Sequence, residues 1–412
     1  MGAEAALGPR TLMAEGLRLL VVQETDWLQR GPHQQHHLFE RLSLRGHIVV
    51  AVDFEMLYTP WPKAPLLARR AEWQGVARAL PAAHVRVVRP PTLRLPGIAR
   101  LVSVGTFHRE LQRLAAQLQP QVLVNYALST GLPALALARC RQIPMLMHVI
   151  DALHTLVPVR SARWVARQVE RYLLRNAHNT LYINQTLQDY GVALGAVRTR
   201  ASTIRTGVDL QRFHPRNDAG EVRRAHGFAA DDVVLVFTGW LYEFSGLDAV
   251  MRAMQQLPAN VRLLIVGAGS AEQRLRALQQ SLGLGARVVF AGQQPYSLMP
   301  AVLAAADVCL LHSEVNAVTR HIVPIKVYEY MASGKSVLAA QLPGLEREVP
   351  PGNGILYAPP AGLQATLQQL LDPAVRAAAG RQARSFTEKY CDWEALTGEF
   401  EALLQQLAGT SA

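Results

Sequence analysis

Short apolar runs, each followed by a turn and then by a helical pattern, recur along this chain in two separate series. That alternation constrains the fold more than any other feature, because a strand, a crossover helix and a second strand build a parallel sheet. The first series takes in residues 17–23, 48–52, 122–125, 144–149 and 180–183. The second takes in residues 233–237, 262–266, 287–290 and 308–311, with Val337 and Leu338 adding one more strand. The two series meet near residues 190–202. The chain of 412 residues is too long for one ordinary core, and two domains of about 200 residues each are the expected solution. We expect an α/β protein with one doubly wound domain over residues 17–195 and a second over 200–385. Residues 386–412 should form helix, with Trp393 and Phe400 as apolar anchors for packing back toward the first domain. Prolines interrupt residues 54–105, where only loops and short helices are expected, and no strand signal follows Leu356.

Half of the residues are apolar and 18% are charged, which excludes a disordered chain. Cys140, Cys309 and Cys391 are far apart, so neither a disulfide framework nor a zinc site is expected, and a reducing compartment fits. Residues 1–16 lack a basic start followed by an apolar run, so no signal peptide is expected. No run of about 20 uncharged apolar residues occurs to span a membrane. The net charge of +11 is uneven: residues 1–200 hold 24 Lys and Arg against 12 Asp and Glu, whereas the rest hold 18 against 19. A basic first half points to an anionic partner or to a generally Arg-rich composition.

Two segments of the second half carry chemistry. Leu263-Leu264-Ile265-Val266-Gly267-Ala268-Gly269 is a strand running into a glycine turn, which lets backbone N–H groups approach a diphosphate. It lacks the third glycine and the acidic residue of a dinucleotide fingerprint, which counts against a dehydrogenase. Pro324-Ile325-Lys326-Val327-Tyr328-Glu329-Tyr330-Met331-Ala332-Ser333-Gly334 is a helix with a proline start and a glycine stop. Glu329 lies among apolar neighbours and needs a partner, since an unpaired buried charge is costly. The partner is either a local Arg or Lys, or a ribose diol supplied by a ligand.

This helix resembles the donor-site helix of the retaining GT-B glycosyltransferases of family 4. Supporting pieces follow in order: Thr203-Ile204-Arg205-Thr206-Gly207-Val208-Asp209 with Phe213 and Pro215, then Phe237-Thr238-Gly239 through Gly246-Leu247, then Ala304-Ala305-Ala306-Asp307-Val308. The likeness covers most of residues 200–395. In the first half it rests on the loop at Gly31 and on Arg45-Gly46-His47. The resemblance implies a GT-B fold, two Rossmann-like domains facing a cleft, with the donor nucleotide on the second and Glu329 gripping the ribose. It also implies front-face transfer with retention, a nucleotide sugar as co-substrate and no cofactor. Three positions depart from the family. Trp240 and Ser245 stand where an Arg and a Lys commonly hold the donor diphosphate, and His321 stands where a Glu is common. Lys326, Arg320 and Arg205 are the cations left to take that charge, beside Gly239 and Gly267, with Lys326 the best candidate.

In the first half, His148 and Asp151 close the strand at 144–149 and are assigned as catalytic polar contacts to donor or acceptor, or else as a sheet-filling His and a helix-capping Asp. Gly31 and His33 open a loop suited to close approach of an acceptor phosphate. Its three histidines are not assigned to a metal, for want of a Cys or acidic ligand. Arg163, Arg167, Arg171 and Arg175 recur every fourth residue and cover an arc of roughly 120° on one helix face. Trp164 and Leu174 fall within that face, while Val165, Val169, Tyr172 and Leu173 should meet the core. Cations mixed with apolar tips suit an anionic membrane surface, and a solvated face is the alternative.

The expected function is transfer of a sugar from a nucleotide-diphosphate sugar to a glycan or lipid-linked acceptor, in a cytoplasmic protein able to lie on the inner face of the cell membrane. A sugar-nucleotide epimerase on the same architecture and a non-catalytic scaffold are the other readings. Nucleic acid is not an expected partner, because no recognised binding fold is present.

Overall fold

The computed structural model describes residues 16–29, 31–55, 65–95, 99–157, 159–316, 319–320 and 323–409. The chain divides into two compact units. One holds the described residues of Met1–His148, Val159–Thr180 and Glu399–Ala412; the other holds those of Val149–Pro158 and Leu181–Gly398. Each is α/β and built on a parallel sheet.

In the first unit the strand order is Met145–Val149, Val122–Asn125, Arg18–Val22, Ile48–Val52, Val85–Arg89 and Ala71–Val76. Neighbours are parallel except Ala71–Val76, which pairs antiparallel with Val85–Arg89 at the edge. This corrects the reading of residues 54–105 as loops and short helices. They contain these two strands and the start of the long helix Ala99–Leu118. The sequence hid Ala71–Val76 because an antiparallel edge strand is only half-buried and lacks a continuous apolar run, and it hid Val85–Arg89 because Arg86 and Arg89 interrupt an otherwise buried strand. The carboxy-terminal helix Trp393–Gly409 contributes Phe400, fully buried and 5.7 Å from the ring of Phe39.

In the second unit all six strands are parallel, in the order Val288–Gly292, Val261–Val266, Val233–Thr238, Val308–Leu311, Ser336–Ala340 and Ile355–Ala358. Alternate residues of a strand face opposite sides of the sheet. Val234 and Val236 join one buried cluster while Leu235 and Phe237 join another, so both faces are covered by helices. Each such side chain contributes about 1.5–3 kcal/mol by leaving water. The first strand of this sheet, Val233–Thr238, is central, and chain order reverses on either side of it. That reversal is the switch point at which doubly wound sheets bind ligands, beyond the carboxyl ends of the strands.

Candidate functional site

Val233–Thr238 ends at the switch point and runs into Gly239, which adopts φ +121° and donates its N–H to Val266 O at 2.8 Å. The next strand ends at Gly267, at φ +146°. A Cβ on Gly267 would lie 1.8 Å from the carbonyl oxygen of Gly239, so the two turns nest only because Gly267 carries no side chain.

Beside these turns runs the helix Ile325–Ala332. Pro324 is its N-cap, and Gly334 at φ +67° terminates it: Gly334 N–H donates to Met331 O and Lys335 N–H to Tyr330 O. Lys326 and Glu329 are three residues apart and therefore share a face. Glu329 is buried, and the hydroxyl of Tyr296 donates to its Oε1 at 2.8 Å. Its other oxygen has no hydrogen-bond partner among the described residues. Lys326 is half-buried, with Nζ donating to Thr238 O at 2.9 Å and lying 3.9 Å from the centre of the Phe237 ring. Arg212 stands 5.2 Å from the Tyr296 ring, and Phe213 meets that ring edge-on at 5.9 Å.

Burial pushes the Glu329 carboxyl up, against the pull of the Tyr296 hydroxyl, Lys326 and Arg212 toward the charged form. Burial pushes the Lys326 ammonium down, with Glu329 opposing. Each charge is incompletely compensated by the protein itself. A ligand offering hydroxyls to a carboxylate and phosphate oxygens to an ammonium, about one helical turn apart, would complete both.

Residues 218–386 match the family model described as Glycosyl transferases group 1, and residues 35–212 match that of Glycosyltransferase Family 4. The chain belongs to the group 1 glycosyltransferases. A D-inositol 3-phosphate glycosyltransferase of Acidothermus cellulolyticus is 31% identical over 206 residues, covering 46% of this chain and 44% of that protein. The match thus spans less than half the length of that curated relative. Sucrose-phosphate synthase from Thermosynechococcus elongatus superposes with a TM-score of 0.74 at 20% identity, covering 95% of this chain and 99% of that one. HepE from Anabaena, solved in complex with UDP, gives a TM-score of 0.73 at 17% identity, covering 95% and 100%. At these identities the structural likeness is one of fold, the expected pair of Rossmann-like sheets.

Among the expected group 1 site residues, Glu329, Lys326, Gly239 and Gly267 come together as described. Arg205 is engaged elsewhere. Its Nε lies 2.8 Å from Glu348 Oε1, and its guanidinium lies over the rings of Tyr390 and Phe386. The same linker segment instead delivers Arg212 toward Tyr296, because Asp209 Oδ1 accepts the N–H groups of Gln211 and Arg212 and curls the chain there. Arg320 is exposed in a turn, and its carbonyl accepts from Gly344 N–H. His321 lies outside the described residues. Ser245 is buried, while Trp240 is 55% exposed.

His148 is a core side chain rather than an open catalytic group. It is 1% exposed, its Nδ1 meets the Tyr126 hydroxyl at 2.7 Å, and it packs against the rings of Tyr126 and Phe400. Burial lowers its pKa to about 3. Asp151 is half-buried and pushed up to about 6 by burial, and it does not cap the short helix Leu153–Leu156, whose N-cap is Ala152. Gly31, at φ +90°, is packed by His36. The His36 ring accepts His33 N–H at 3.0 Å and reaches Trp27 O at 3.0 Å, so this histidine organises the loop.

The arginine helix, Arg163–Asn176, also needs correction. Ala166, Glu170, Leu173 and Leu174 are its buried positions, so Leu174, at 1% exposure, belongs to the core and not to a membrane face. Val165 and Tyr172, expected inward, are 55% and 46% exposed. A small residue, Ala166, and a buried acid, Glu170, mark the inward stripe and carry no apolar signal. Arg167, Arg171, Arg175 and Trp164 are exposed as expected.

Sequence reasoning missed Tyr296, Arg212 and His312. Arg212 lay unremarked within the linker signature. Tyr296 opens a one-turn helix with no motif around it. His312 follows the strand Val308–Leu311, is buried, and has a ring Nε2 without a partner among the described residues.

Proposed function

We propose that this chain transfers a sugar from a nucleoside-diphosphate sugar to a glycan or lipid-linked acceptor, with retention at the anomeric carbon. One observation carries the reading: a buried carboxylate, Glu329, is met by a neutral hydroxyl instead of a cation, with Lys326 one turn nearer the helix start. Glu329 would accept the ribose hydroxyls. Lys326, the start of its helix and the tightly nested turns at Gly239 and Gly267 would receive the diphosphate. Leaving-group charge grows on that diphosphate in the transition state, so these groups act by electrostatic stabilisation and orientation. The complex of HepE with UDP makes a uridine nucleotide the first donor to test.

The test measures release of nucleoside diphosphate from a panel of nucleotide sugars, with and without a membrane extract as acceptor. Acceptor-dependent release that falls by at least about 100-fold in Glu329→Ala supports transfer. Isomerised donor without acceptor indicates an epimerase, and silence with every donor favours a scaffold. Wild-type rates in Glu329→Ala remove the donor assignment.

A membrane-associated acceptor is supported by Arg167, Arg171 and Arg175, exposed on one helix together with Trp164 at 69% exposure. Co-sedimentation with anionic vesicles should exceed that with neutral ones and fall in Arg167→Glu/Arg171→Glu. Equal pelleting in all cases defeats this reading.

A further inference from the structure

We infer that a layer of three adjacent helices in the first unit docks on an anionic membrane, with Leu101 and Trp164 as the side chains that enter the lipid. The inference rests on the reading of a membrane-associated acceptor and extends it from one helix to a whole surface. The layer consists of Ala99–Leu118, Gly131–Arg141 and Arg163–Asn176. These helices carry three, two and four arginines in turn, with no lysine or aspartate. The arginines are exposed except Arg163, which is half-buried. The two acids of the layer, Glu110 and Glu170, are both buried. A merely solvated surface mixes both signs of charge, whereas this one shows water cations alone.

The three helices run the same way. Glu24, just past the end of the strand Arg18–Val22, pairs with Arg100 at 2.7 Å and accepts Thr130 N–H at 2.6 Å, so the first two helices start side by side beyond the carboxyl end of that strand. Arg139 donates to the Tyr172 hydroxyl at 3.3 Å and to Asn176, and His178 N–H donates to Met145 O at 2.9 Å. The last two helices therefore finish together at the amino ends of the strands. Each first turn projects past the carboxyl edge, the edge at which doubly wound sheets bind ligands. There the cationic surface is broken by apolar tips. Leu101 is 75% exposed, and Val159 and Trp164, at the start of the last helix, are 60% and 69% exposed. Leu67, paired with Leu93 just ahead of the first helix, is exposed as well.

Charge and apolar tips together select the occupant. Cations alone would serve any polyanion. Aliphatic and indole tips gain nothing from a phosphodiester backbone, but they gain apolar contact just below a lipid headgroup layer while the arginines meet its phosphates. In that pose the ligand-binding edge of the first sheet faces the bilayer, which suits an acceptor carried on a lipid.

The experiment sediments the full chain with phosphatidylcholine vesicles, with and without phosphatidylglycerol, and measures UDP affinity in parallel. Leu101→Ser and Arg109→Glu/Arg141→Glu change only the first two helices, and each should weaken binding to the anionic vesicles by at least about tenfold. Vesicles with brominated acyl chains should quench the tryptophan emission of the wild type, and that of Trp164→Phe clearly less. UDP affinity should stay within twofold in every variant. Wild-type vesicle affinity in either Leu101→Ser or Arg109→Glu/Arg141→Glu overturns the inference. Loss confined to Arg167→Glu/Arg171→Glu does so too, while leaving the membrane reading on its single helix. Binding of a DNA duplex that falls in the arginine variants, with vesicle binding indifferent to Leu101→Ser, would make the layer a general polyanion surface instead. Docking through both Leu101 and Trp164 in a protein that transfers only to soluble acceptors would preserve this inference and remove the lipid-linked reading, so the two fail separately.

Discussion

The hydroxyl of Tyr296 donates to Glu329 Oε1 at 2.8 Å, joining two residues 33 positions apart at the helix Ile325–Ala332. A buried acid thereby gains a hydrogen bond without a neutralising cation. The carboxylate keeps accepting capacity for a ligand that an Arg partner would have taken up. Tyr296→Phe should destabilise the protein by about 1–3 kcal/mol, because it withdraws a partner from a buried charge. Denaturant unfolding measures this, and UDP affinity should fall with it. In the Glu329→Gln background the same change should cost clearly less. Equal cost in both backgrounds would show that the pair is not coupled.

Lys326 supplies a pH dependence whose sign follows from its burial. Its pKa is lowered from 10.5 to about 7, so between these values the unfolded chain binds the extra proton. This residue's destabilising contribution, full below about pH 7, is therefore relieved as pH rises toward 10.5. A bound diphosphate favours the ammonium. Binding of UDP at pH 8 should take up protons, and affinity should decline as pH rises above about 7. Calorimetry in two buffers of different ionisation enthalpy reads the uptake, which should vanish in Lys326→Met. Undiminished uptake in that variant would assign the proton to another group.

Arg205 is predicted to stabilise rather than to bind donor. Its partner Glu348 also accepts from the Tyr328 hydroxyl at 3.2 Å and is pushed up by burial. Arg205→Gln should lower stability by about 1–3 kcal/mol and leave UDP affinity within twofold. A tenfold loss of UDP affinity at unchanged stability would restore the phosphate role.

His148 should contribute to acid lability. Its folded pKa of about 3 lies below the ordinary value of 6.5, so the unfolded chain binds the proton first as pH falls. Stability from this residue is complete above about pH 6.5 and is lost progressively toward pH 3. In His148→Gln the decline over that window should be shallower by up to about 1.4 kcal/mol per pH unit. An unchanged slope would falsify the assignment of a buried neutral histidine.

Much of this site was legible in one dimension, but unevenly. That Glu329, Lys326, Gly239 and Gly267 lie together could be read because backbone geometry imposes residue types: glycine where φ is positive, and a proline start and glycine stop around a helix carrying a polar face. The surroundings of Arg205 and His148 could not be read because a cation in a linker and a histidine at a strand end satisfy the same pattern whether they face a ligand or the interior. Tyr296 and Arg212 were invisible because a hydroxyl reaching a distant carboxylate, and a guanidinium lying over its ring, leave no local signature.

The sequence by itself determined two parallel-sheet units, most of their strands and the glycines at the carboxyl ends of the second sheet. Apolar periodicity and backbone sterics act over a few residues and can be read in order. Only the tertiary structure decided which polar groups share the site. Burial, hydrogen-bond partners and displaced charge depend on residues brought together from far apart in the chain, and Glu329 acquires its character from Tyr296, Lys326 and Arg212 acting at once.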